Sequence, residues 1–92
     1  MIKLFHHKGL ESLFQTGKAK GLDAQLVKKL RKQLFALNSG PLPDVMNLPG
    51  WKLLELSGDR KGTWAVWVTG NVRLTWEQDE ADAITVDLED YH

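Results

Sequence analysis

The sequence predicts an α+β domain in which two N-terminal helices pack on one face of a mainly antiparallel sheet of four to five strands. Apolar residues recur at helical spacing through residues 1–40 and then alternate with period two beyond residue 50. All three prolines fall between those two regimes. A chain of 92 residues supports one modest core, so helices and sheet must bury each other, and 1–92 is read as a single domain.

Ile2, Leu4 and Phe5 form a short apolar opening suited to an edge strand. From Lys8 to Gln15, Leu10, Leu13 and Phe14 fall on one helical face, and Thr16-Gly17 supplies a stop. Asp23 is placed to cap a second helix whose apolar positions Leu22, Leu26, Val27, Leu30, Leu34 and Leu37 share one side. Asn38-Ser39-Gly40 and Pro41 end it. Its other side carries Lys28, Arg31 and Lys32 with Phe35 among them. That ring is either an anchor for a partner or one of the scattered apolar residues common on surfaces, and the sequence leaves both open.

Residues 41–50, PLPDVMNLPG, read as a connector with at most one helical turn. Four candidate strands follow: WKLLEL from Trp51, TWAVWVT from Thr63, VRLTWE from Val72 and AITVDL from Ala83. SGDRKG, GN and QDEAD separate them. In the middle hairpin, a two-residue turn would pair Thr69 with Val72 and place Arg73 beside Trp64, Val66 and Val68. A three-residue loop instead pairs Val68 with Val72 and gathers Trp64, Val66, Val68, Val72, Leu74 and Trp76 on one face. The second register buries more apolar area, at about 25 cal/mol per Å2, and is the expected one. It leaves Ala65, Trp67, Arg73 and Thr75 on an open face. In the last strand Ile84, Val86 and Leu88 are expected to continue the core side, with Thr85, Asp87, Glu89 and Tyr91 outward.

With no cysteine there is neither a disulfide framework nor a thiolate site, and His6-His7 has no partner at helical metal spacing, so no metal or other cofactor is expected. No leader-like or membrane-spanning run is present, which points to a cytoplasmic protein. The formal net charge of zero conceals a division. Residues 1–40 hold eight Lys and Arg against two acids, while residues 41–92 hold four against ten. A basic half suits an anionic partner such as RNA or an acidic protein surface; two halves neutralising each other as solvated faces fit the charge equally well.

The chain ends DLEDYH, a strand pattern running into three side chains that accept, donate or shuttle protons. Together with LSGDRKGTWAVWVTGNVRLTW, the opening MIKLFHHKGLESLFQTG and the LPG before Trp51, this ending resembles the HigB branch of the RelE/ParE toxin superfamily across the whole chain. The resemblance implies a ribosome-dependent endoribonuclease that cuts translated messenger RNA without a metal. It also implies a helix-turn-helix, HigA-like antitoxin that neutralises the toxin and through which the complex reaches operator DNA. Such cleavage uses the RNA 2′-hydroxyl as nucleophile and needs a base, a phosphate clamp and an acid for the leaving oxygen.

The resemblance assigns catalysis to Arg73, Asp90, Tyr91 and His92. His92, with an ordinary pKa of about 6.5, suits acid or base work; Asp90 accepts a proton or orients the imidazole. Tyr91 stacks or donates, and Arg73 offers a guanidinium fork to phosphate. Arg60, Lys61, Trp67, Lys28, Arg31 and Lys32 are the expected RNA contacts, and the basic helical side or the open sheet is the expected seat of the antitoxin. The chain departs from the family where Ser57 and Leu54 replace residues often Lys and His, and where Trp67 replaces a residue often basic. Arg60 or Lys61 is the expected replacement for the missing charge. A toxin that blocks the ribosome without cutting is the alternative, and a ParE-like gyrase poison is disfavoured because those relatives lack the terminal DYH.

Overall fold

The computed structural model describes residues 1–90. Helix α1 spans Lys8–Thr16 and α2 spans Ala24–Ser39. The His7 side chain caps α1 by accepting from the Leu10 N–H, and Gly17 closes it in the left-handed region at φ 77°. Asp23 caps α2 as expected, accepting from the Gln25 N–H at 2.9 Å. The proline-rich connector holds one 3-10 turn, Asp44–Met46.

Strands β1 (Leu54–Glu55), β2 (Thr63–Thr69), β3 (Val72–Asp79) and β4 (Asp82–Asp90) form one antiparallel sheet in the order β1-β2-β3-β4. The N-terminal segment pairs parallel to the outer edge of β4 through Ile2–Ala83 and Phe5–Val86 bridges, so the apolar opening acts as the fifth, partial strand. Both helices contribute to one core: Leu10, Leu13, Leu26, Leu30, Leu34 and Leu37 meet Val66, Val68, Leu74, Trp76 and Val86. Among the described residues no helix is long and apolar enough to cross a membrane.

Five features differ from the sequence reading. The first strand shrinks to two residues because Lys52 sits at φ 52°, which breaks the extended run; Trp51 still accepts from the Trp67 N–H at 2.6 Å. The hairpin uses both registers: Trp64–Trp76, Val66–Leu74 and Trp67–Arg73 pair as expected, yet the turn itself is the two-residue one, Thr69 opposite Val72. A bulge at Val68 absorbs the one-residue difference, so the core side is kept while the tight turn forms. The third loop contracts to Glu80-Ala81, with β3 extended to Asp79.

The fourth difference is in β4, where Thr85 at φ 53° marks a second bulge opposite Trp76. One extra residue reverses the alternation below it, so Ala83 takes the core position expected of Ile84, which pairs with Glu77 on the outer side. Nor is the second sheet face bare. The loop after β1, with its 3-10 turn Gly58–Arg60, returns over β2 and β3 to reach β4, and Ala65 and Thr75 beneath it are fully buried.

Leu30, fully buried at the helix–sheet contact, should cost about 2–5 kcal/mol when changed to Ala. Phe35, 63% exposed, should cost within about 0.5 kcal/mol for the same change. Denaturant midpoints of Leu30→Ala and Phe35→Ala check both.

Candidate active site

On the face away from the helices, strand register aligns Trp67 on β2, Arg73 on β3 and Glu89 on β4 in one row. Neighbouring members are separated by a single strand spacing of roughly 5 Å. Glu89 is fully engaged. Arg60 donates from Nη1 and Nη2 to its two carboxylate oxygens at 2.7 and 2.6 Å, and the Thr75 hydroxyl donates to Oε2 at 2.6 Å. A bidentate fork of this kind is directional as well as charged, so it fixes the loop of residues 57–61 over the sheet. With the Arg60 side chain 45% exposed, the pair contributes roughly 1 kcal/mol at most, and its value is positional.

Arg73 shows the consequence. Its Nη1 is buried and has no hydrogen-bond partner among the described residues, although a carboxylate lies directly across the strand pair. A guanidinium nitrogen left without a partner under cover is costly, and Arg73 as a whole is half-exposed, so a phosphate would meet the accessible part of the fork. Asp90 stands opposite Val72, the residue before Arg73, and is exposed. Alternation thus puts Glu89 rather than Asp90 in Arg73's row. Tyr91 and His92 lie outside the described residues.

The remaining expected RNA contacts divide. Lys61 is exposed and lines a cleft of about 390 Å3 with Asp59, Glu77 and Ile84, beyond the row. Arg31 donates to the Gly17 carbonyl at 2.9 Å and borders Phe35, away from Arg73. Lys28 and Lys32 line a groove of about 340 Å3 with Lys29, Gln25 and Trp51. Arg60, expected to replace the missing family cation, holds Glu89. Ser57 and Leu54 are both exposed.

Two cations that sequence reasoning passed over gather at Trp67. The Lys29 ammonium lies 4.1 Å from the indole centroid and the Lys52 ammonium 5.3 Å. Lys29 adjoins Lys28 but is turned to the edge of β2, and the adjacency of two lysines in the helix was the available signal. Lys52 flanks Trp51, whose bond to the Trp67 backbone brings it there. Glu89 and Thr75 were also missed as a pair. Strand alternation had placed each on the outer face, but their contact needed the register of β4.

The chain matches, over residues 3–92, the family described as the RelE-like toxin of the type II toxin–antitoxin system HigB. It is 39% identical over 92 residues to the endoribonuclease HigB of Proteus vulgaris, covering 100% of both chains. Two helices on a four-stranded antiparallel sheet agree with the RelE-like fold. The chain belongs to the HigB-like toxin family, and an antitoxin is its partner.

Burial lowers the Lys29 pKa from the ordinary 10.5, against the pull of the indole face that favours the cation. The folded chain therefore releases this proton before the unfolded chain does, and stability rises with pH through the window just below 10.5. Denaturant midpoints across that window should show the rise in the native protein and its loss in Lys29→Met.

Proposed function

We propose that this toxin is an endoribonuclease that cuts messenger RNA on the ribosome, in the cytoplasm, until a HigA-like antitoxin neutralises it. The observation that carries the reading is the Arg73 guanidinium, with one nitrogen lacking a partner among the described residues, flanked in its row by an aromatic ring and lying one residue from the position opposite Asp90. The full-length likeness to an endoribonuclease supports the reaction class.

In this reading the scissile phosphate lies against Arg73. The 2′-hydroxyl of the preceding nucleotide attacks phosphorus, the bond to the 5′-oxygen breaks, and the products are a cyclic phosphate and a free 5′-hydroxyl. Charge gathering on the phosphoryl oxygens is met by a permanent cation held in place before the substrate arrives. His92, Tyr91 and Asp90 are assigned the proton transfers: one group removes the 2′ proton and another supplies the leaving oxygen. Lys28 and Lys32 contact RNA outside the reacting bond. The antitoxin reaches operator DNA on the toxin's behalf.

Arg60, expected to contact RNA, is paired with Glu89. Committed to Glu89, it acts by keeping that carboxylate from Arg73, and Thr75 assists with its hydroxyl.

Primer extension on a message translated by purified ribosomes tests the reading. Native protein should create new 5′ ends, and Arg73→Ala should reduce their rate of appearance by about 10²–10³-fold, the usual cost of one charge-stabilising donor. Deletion of Tyr91 and His92 should abolish them. Stalled ribosomes with no new ends would instead identify a toxin that blocks without cutting.

A further inference from the structure

Lys29 and Lys52 come from different parts of the chain, one from α2 and the other from the turn before β1, and meet over one ring. Neither has an ion-pair partner among the described residues. Two like charges gathered at one ring repel, and Lys29, half-buried, is also partly removed from water. An anion that both can reach relieves that repulsion.

The ring they share is held rigidly. The Trp67 Nε1 donates to the Gly70 carbonyl at 2.9 Å, its N–H donates to Trp51 at 2.6 Å, and its carbonyl accepts from Gln33 Nε2 at 3.0 Å. Gln33 is itself fully buried in α2, so helix and sheet edge are tied at the point where the lysines converge. Lys52 also occupies the left-handed region at φ 52°, a strained conformation for a residue other than glycine. The turn thus carries a lysine at a position where the backbone alone would favour glycine.

We propose that Lys29 and Lys52 clamp one RNA phosphodiester over Trp67, next to the phosphate at Arg73. This rests on the ribonuclease reading for the identity of the anion. The placement follows from the register, because Trp67 is the direct cross-strand partner of Arg73 and lies one strand spacing away. From the clamp, the groove of Lys28, Lys32 and Trp51 continues along α2, so a chain of phosphates leaving Arg73 across the edge of β2 meets cations without interruption. The clamp also supplies positive charge at the place where this chain has a tryptophan in its strand.

The test is the salt dependence of binding for the Lys29→Gln/Lys52→Gln pair. Two probes are used: a short single-stranded RNA carrying a 2′-deoxy nucleotide at the cut, so that it stays intact, and vacant ribosomes. Loss of one phosphate contact should make the slope of log K against log salt shallower by about 0.7 on the oligonucleotide if the phosphate belongs to the message. A shallower slope on vacant ribosomes alone would assign it to ribosomal RNA, with the clamp upheld. The Lys29→Arg/Lys52→Arg pair keeps both charges and should keep the native slope. Unchanged slopes on both probes, or a slope lost equally in the arginine pair, would overturn the clamp. Failure of the native protein to cut a translated message would defeat the ribonuclease reading separately, since the slopes are read on binding alone.

Discussion

One carboxylate organises the working face. Glu89 accepts from Arg60 on both oxygens and from Thr75 on one, and in doing so draws a loop from the far edge of the sheet across β2 and β3 to β4. Without that tie the loop would have few reasons to lie on the sheet, because its own residues 57–61 are exposed. The same tie decides the state of Arg73, which faces Glu89 across the strands but finds it already satisfied. A cation placed beside an acid ordinarily pairs with it, and a paired guanidinium is a poor phosphate ligand. Here a second arginine takes the acid, and the first keeps one donor without a partner among the described residues.

The two bulges place this chemistry. Val68 in β2 allows a tight turn without moving Trp64 and Val66 from the core, and so keeps Trp67 level with Arg73 on the outer face. The extra residue at Thr85 sets the lower half of β4 one step out of phase, which brings Ala83 inward while leaving Asp87 and Glu89 outward. Each bulge costs a little ladder pairing and redirects a row of side chains, the usual reason such irregularities stand beside functional sites.

The helices, the strand count and most of the core were legible because they depend on local periodicity and caps: Asp23, Gly17 and the leucines of α2 behave as their spacing implies. The pairing of Trp67 with Arg73 was legible too, since burial selected the register of the hairpin body. Ile84 was misplaced because a bulge leaves no mark in an alternating pattern, and AITVDL reads as a regular strand. The break at Lys52 was hidden for a similar reason, a left-handed residue that is not glycine. The pairing of Arg60 with Glu89 was not legible, because the sequence shows the charge of Arg60 and not its partner, 29 residues away. Nor could the division of charge between the two halves show where each cation lies: one lysine of the basic half, Lys29, reaches around β2 to the Trp67 ring.

Arg60 is proposed to act on Arg73 by occupying Glu89. Cleavage rates of Arg60→Ala, Glu89→Gln and the double variant on translating ribosomes test it most directly. Arg60→Ala should lower the rate, because the released carboxylate can turn to Arg73, and adding Glu89→Gln should restore much of it. A double variant no faster than Arg60→Ala would contradict the account and make Arg60 a ligand of the RNA itself.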